Sequence, residues 1–335
     1  MKRRTFIAAS LGLCAALPAP AGTRLFTGAT LAFGTTVGIA AVHRERAVAQ
    51  GAIAEALYAA RAVDRLMNLY SPRSEVARLN RDGILRRPSH QLLAVLEEAR
   101  RLSQLTSGAF DITVQPLWQA FNAAAAAGKV RLPPEHDRLR AARQVNWRHV
   151  AFDAAVVRLT RPGMAITLNG LAQGYAADLA LQTLRERGIE AALLDTGEFI
   201  ARGRNPTANA ATIWHPWTLG VRDPRDAAAL DAVVRLDERA MATSGDYAST
   251  FTADCVHHHI FDPATGFSPL DLASVTVMAP TGLQADGLST AFMVLGAARA
   301  HALAARLPGV DLLTIDKRGL ARRSPGFAKA ELPLT

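Results

Sequence analysis

The sequence predicts an α+β fold in which mixed sheets and hairpins pack with long helices. Three observations predict it. Half of the 335 residues are hydrophobic, which is ample for a large buried core in one composite domain or two packed lobes. Two amphipathic runs of helical period lie in the first third of the chain. Short apolar strands separated by turn residues fill the remainder, without the regular strand-helix alternation of a doubly wound sheet.

Taken in order, residues 31–39 predict a first strand, small and β-branched with no charge. A long helix follows over 50–69, where Ile53, Leu57, Ala60, Val63, Leu66 and Met67 recur at helical spacing and Ser71-Pro72 ends the run. A second helix covers 89–106, with Leu92, Val95, Leu96, Ala99 and Leu102 inward and Gly108 at its close. The alanine run 123–127 suits a helix or its flank, 129–137 with Pro133-Pro134 a surface connector, and 150–168 a hairpin turning at Arg161-Pro162-Gly163. A helix over 171–187 is stopped by Gly188. Strands at 192–194, 217–221, 233–236, 274–278 and 310–315 then alternate with turns and one more helix, 286–295.

The first residues form a unit of their own. Arg3-Arg4 precedes Phe6-Ile7, a weakly apolar run and Ala19-Pro20-Ala21, the order of a cleaved export signal of twin-arginine type. Cleavage is expected after Ala21, so that 1–21 is the signal and 22–335 the mature domain, placed in the periplasm. Leu13 is too large for lipid attachment at Cys14. Cys255 is then the only thiol, which excludes an intramolecular disulfide and suits a buried core position.

Net charge is +9 and falls to +6 as Lys2, Arg3 and Arg4 leave with no acid. The arginines are scattered and only Lys2, Lys129, Lys317 and Lys329 are lysines, so no basic stripe suited to nucleic acid is present. Charged residues or glycine interrupt every apolar run beyond the N-terminus, and no transmembrane span is expected in the mature chain.

Three segments carry candidate chemistry. In Asp286-Gly287-Leu288-Ser289-Thr290, a helix places Asp286 and Thr290 on one face, a carboxylate and a hydroxyl suited to Mg2+; Asp286 alone would equally serve as a helix cap. The run Thr167-Leu168-Asn169-Gly170-Leu171-Ala172-Gln173-Gly174 passes from a strand end into a helix, where backbone N–H groups suit phosphate or simply make a turn. His257-His258-His259 cannot all face one metal on a strand, since alternate side chains point oppositely. One histidine acting as a general base fits better than zinc.

Together these segments closely resemble the ApbE family of flavin transferases, whose patterns run in the same order over nearly the whole mature chain. The matching residues are Phe33-Gly34-Thr35, Tyr70-Ser71-Pro72-Arg73-Ser74-Glu75 with Leu79-Asn80, and Ser107-Gly108-Ala109-Phe110-Asp111-Ile112-Thr113-Val114. They continue with Asn169-Gly170-Leu171-Ala172-Gln173-Gly174-Tyr175-Ala176-Ala177-Asp178, Ser244-Gly245-Asp246-Tyr247, His259-Ile260 with Asp262-Pro263 and Thr265-Gly266, and Asp286 with Leu288-Ser289-Thr290.

The resemblance implies an enzyme, an FAD:protein FMN transferase, with FAD bound between two lobes. Phe33, Tyr70, Ala109, Phe110, Asp111, Thr167, Gln173 and Ile260 would line the flavin site. Asp286, Thr290 and the Gly170 carbonyl would hold Mg2+, and His259 would deprotonate the acceptor. It implies Mg-dependent transfer of FMN from FAD to a threonine hydroxyl of an acceptor flavoprotein, releasing AMP. The export signal and the Leu-Asn-Gly-Leu-Ala-Gln-Gly variant are similar to those of flavin transferases accompanying nitrous-oxide reduction, which implies a membrane-bound acceptor with a periplasmic threonine motif. The family usually shows Asp, Gly and Lys where this chain has Thr167, Asn169 and Gln173, and paired glycines where it has Asp195-Thr196-Gly197-Glu198. Loss of that Lys favours an alternative, a periplasmic FAD-binding accessory protein without transferase activity.

Overall fold

A computed structural model describes residues 17–18, 22–126, 132–207 and 210–333. Apart from Leu17 and Pro18, the expected export signal, including Cys14, lies outside the described residues, as does Lys129.

The architecture is α+β, organised on an eight-stranded antiparallel sheet. Its strands are β1 (Arg24–Ala32), β2 (Thr35–His43), β3 (Ala191–Asp195), β4 (Phe199–Arg202), β5 (Ala240–Gly245), β6 (Leu272–Ala279), β7 (Asp311–Asp316) and β8 (Ala321–Arg323). They lie side by side in sequence order, each antiparallel to the next. The single strand expected over 31–39 is therefore two strands. Apolar content continues unbroken through the turn, but Phe33 and Gly34 both adopt positive φ (54° and 70°), which reverses the chain in two residues.

One face of the sheet carries three long helices, α1 (Arg46–Met67), α6 (Ala172–Glu186) and α7 (Gly282–Ala304). The buried stripe of α1, Ala49, Ala52, Ile53, Ala56, Ala60 and Val63, has helical period and small members that let α6 approach. Every residue of β6 is buried because this strand is covered on both faces: Val275 and Val277 join the helical core, while Met278 joins a second core with Met241, Trp217, Val234 and Phe327. That second face is covered by a small sheet, Thr218–Arg222, Leu230–Arg235 and Glu331–Leu332.

The insertion between β2 and β3 also holds α2 (Glu75–Asp82), α3 (His90–Leu105), α4 (Gln115–Ala126) and α5 (Glu135–Ala142). Its strands Ile84–Arg86, Val150–Phe152 and Val156–Leu159 form a third sheet. The hairpin there turns at Asp153, whose carboxylate accepts from the N–H groups of Ala155 and Val156, rather than at Pro162. The expected connector 129–137 contains the start of α5, because Pro134 stands before the helix and leaves Glu135 and Asp137 in its first turn. Ser89, expected as the first helical residue, instead caps α3 by accepting from the Leu92 N–H.

Helix α7 begins four residues earlier than 286. Thr281 caps it by accepting from the Gln284 N–H, and a break at Gly296 (φ 76°, ψ 165°) follows Leu295, where the sequence ended the helix. Cys255 is not a core residue: it lies partly buried in the loop after β5 with φ 57°, a conformation outside strand and helix.

Candidate functional site

The order of the sheet gathers distant segments at one end. Gly38 pairs with Asp195, so the Phe33-Gly34 turn projects past the end of β3, on the side where Thr196-Gly197 turns the chain into β4. Met241 pairs with Phe199, so Ser244 and Gly245 continue towards the same end. Helix α7 crosses there: the Ser244 hydroxyl lies 2.8 Å from that of Ser289 and 3.2 Å from that of Thr290.

Helix α6 meets α7 by backbone contact. A Cβ on Gly174 would stand 2.1 Å from the Gly282 carbonyl oxygen, and one on Gly282 would stand 2.4 Å from that of Gly174. The Asp178 carboxylate, one turn further along α6, accepts from the N–H groups of Gly282 (2.6 Å) and Leu283 (2.9 Å). This contact sets Asp286 against the start of α6, where its Oδ2 accepts from the Gly174 N–H at 3.1 Å. Capping of α7 is thus performed by Thr281 and Asp178, and Asp286 is released for another role. Gly170 abuts Thr290 closely enough that a Cβ there would lie 2.8 Å from the threonine Oγ1.

Asp286 is 4% exposed and, among the described residues, pairs with no cation. Burial, with a smaller contribution from the nearby Asp178 charge, pushes its carboxyl up to about 7 against the relief of the Gly174 N–H. Burial likewise raises Asp178 to about 6. No group of three or more His, Cys, Asp or Glu side chains able to hold a metal occurs among the described residues. One buried carboxylate, one hydroxyl and an adjacent glycine backbone form a sparse set of hard oxygen donors. Such a set fits Mg2+ that takes its remaining ligands from substrate phosphates and water.

The other expected site residues fall into separate places. Asp111 is buried and its carboxylate accepts from Thr113 N–H and hydroxyl (2.8 and 2.6 Å) and from the Trp147 N–H (2.9 Å), while desolvation raises its pKa. Thr167 joins this group through its N–H to the Ile112 carbonyl at 2.8 Å, and Asn80 holds the preceding residue by paired bonds to the Ile166 backbone. Phe110 and Ile260 are buried in the main core, with Ala109 packed at its edge. Phe33 packs partly against the same core, whereas Tyr70 is 75% exposed on the turn after α1. Gln173 is occupied: its Nε2 donates to the Thr196 carbonyl at 2.5 Å, and the Thr196 hydroxyl donates back to the Gln173 carbonyl.

The three histidines divide by burial. His258 is fully buried, its N–H donating to the Ser268 hydroxyl, and desolvation lowers its pKa to about 4. His257 packs on Phe121 and Phe267. His259 is partly exposed, with Nδ1 3.1 Å from the Ser249 carbonyl. A carbonyl only accepts, so Nδ1 carries the proton and Nε2 is the basic nitrogen.

Sequence reasoning assigned no role to Ser244, Ser289, Asp178 or Trp147. The first three stood inside the recognised motifs. Trp147 had no signal, although its buried Nε1 has no hydrogen-bond partner among the described residues and lies beside Gly108.

A profile of the ApbE family matches residues 33–314. The chain belongs to the ApbE family. Its ApbE relatives include the FAD:protein FMN transferase of Vibrio cholerae, 31% identical over 88% of this chain and 88% of that protein, and the FAD:protein FMN transferase of Treponema pallidum, 34% identical over 70% and 68%. The crystal structure of the ApbE protein from Thermotoga maritima superposes with a TM-score of 0.77 at 28% identity, covering 92% of this chain and all of that one. The flavin transferase ApbE from Vibrio cholerae superposes equally well, with a TM-score of 0.77 at 27% identity over 93% of this chain and 100% of that one.

Proposed function

We infer that this chain is an FAD:protein FMN transferase, an enzyme that moves FMN from FAD onto an acceptor flavoprotein. The observation that carries the reading is the buried Asp286, which pairs with no cation among the described residues and stands one helical turn from Thr290, itself against Gly170, at the α6 and α7 crossing of an ApbE-family chain.

Asp286, Thr290 and the Gly170 carbonyl would hold Mg2+, which when bound supplies positive charge to the FAD pyrophosphate and polarises the bond to be broken. The remaining steps belong to the chain's own groups. His259 accepts at Nε2 the proton of an acceptor threonine, with Nδ1 fixed on the Ser249 carbonyl. The threonine oxygen bonds to the phosphorus on the FMN side, the bond from that phosphorus to the bridging oxygen breaks, and AMP departs. Phe33, Tyr70, Ala109, Phe110, Asp111, Thr167, Gln173 and Ile260 would line the flavin, with Phe110 and Ile260 contributing from the buried core. Positioning and charge neutralisation supply most of the acceleration.

The acceptor reading is a membrane-bound flavoprotein with a periplasmic threonine motif, reached after twin-arginine export. The naming of the relatives as transferases favours transfer over passive flavin storage. Incubating the protein with FAD, Mg2+ and an acceptor carrying the threonine motif should release AMP in step with protein-bound flavin fluorescence. Retention of intact FAD without AMP would return the reading to the accessory protein.

A further inference from the structure

The three hydroxyls beside Asp286 form a chain whose direction is fixed by its last member. The Ser289 hydroxyl lies 2.8 Å from the Asp286 backbone carbonyl, which only accepts, so Ser289 donates there. Ser289 has one proton. In its 2.8 Å contact with Ser244 it must therefore accept, and Ser244 donates. Ser244 has then used its own proton, so in the 3.2 Å contact with Thr290 it accepts and Thr290 donates.

A hydroxyl that binds a cation does so through a lone pair and needs an acceptor for its proton. We propose that Ser244 and Ser289 are positioning residues that draw the Thr290 proton inward, along a relay ending on the Asp286 carbonyl, and leave the Thr290 lone pairs for the metal. Their placement suits this role. Ser289 is buried, Thr290 is partly exposed, and Ser244 stands on β5 between them, so the relay runs from the mouth of the site to the core. The relay also links the α7 backbone at Asp286 to the Thr290 hydroxyl through one hydrogen-bonded chain. The inference rests on the metal reading above.

Mn2+ titrated into the full chain loaded with one equivalent of FAD, which brings the phosphate ligands, with free Mn2+ read by electron paramagnetic resonance, separates the relay from the metal reading. Wild type should bind one ion and Asp286→Asn should lose it. Ser244→Ala and Ser289→Ala should each weaken binding roughly 10-fold, with the proteins still folded at the assay temperature and metal-free FAD affinity unchanged. Ser244→Thr, which keeps the hydroxyl, should restore it. Alanine variants that bind as wild type, beside an Asp286→Asn protein that does not, would overturn the relay alone. A wild type that binds no Mn2+, or an Asp286→Asn protein that binds normally, would remove the metal reading and the relay with it. Loss in Ser244→Thr equal to that in Ser244→Ala would assign the effect to packing.

Discussion

The charge state of Asp286 links the site to stability. Its carboxyl titrates at the ordinary 3.8 when exposed and at about 7 in the folded, metal-free protein. The stability contributed by its bound proton is whole below pH 3.8 and is lost as pH rises through about 7. Metal-free wild type should therefore lose melting temperature across that window. Asp286→Asn has no such proton and should flatten the fall, although Asp178, raised to about 6, adds a slope of the same sign to both proteins. An Asn variant with a curve as steep as wild type would contradict the burial argument. The same substitution should cut FMN transfer at least roughly 100-fold, as expected for loss of a metal's charge stabilisation. His259→Ala should slow transfer by roughly 100-fold or more at saturating FAD with FAD affinity nearly unchanged. His258→Ala should instead lower the melting temperature, since its buried ring fills the space beside Pro269. Equal effects of the two changes on turnover would refute the division of roles. That Asp286 and Thr290 share one face of a helix was legible because residues four apart stand one turn apart. The Gln173 contact was not, since its partner Thr196 lies in a distant turn.

At the scale of elements, the closest fit is that of α6 on α7. Gly174→Ala would push a methyl into the Gly282 carbonyl, and the helices must part or the side chain must shift. Overpacking of this kind costs roughly 1–3 kcal/mol. Thermal melting should register it, and Mn2+ binding should weaken because Asp286 moves with α7. A Gly174→Ala protein as stable as wild type would show that the crossing tolerates separation. Helix periodicity made α1, α3 and α6 legible to within a few residues. It could not reveal that 31–39 folds back on itself, because Phe33 carries no turn signature and its positive φ is imposed by the pairing of β1 with β2. The start of α7 did carry a local mark, Thr281 three residues before Gln284, whereas its second capping partner, Asp178, is more than 100 residues away in sequence.

At the scale of the whole molecule, replacing Arg3-Arg4 with two lysines should retain the protein in the cytoplasm with its transfer activity intact. Fractionation with an activity assay checks this, and unchanged periplasmic activity would exclude the twin-arginine route. The sheet order has a consequence for a chain emerging from the ribosome. β1 and β2 can pair at once, but β2's other neighbour, β3, is made only after roughly 150 further residues. At roughly 5–20 residues per second, the inner edge of this hairpin waits about 7–30 seconds with unpaired N–H and C=O groups. An apolar strand bare for that long invites premature pairing between neighbouring chains on a polysome. Nascent-chain protection should therefore be needed most while residues 44–190 are being synthesised, and should end when β3 closes the edge.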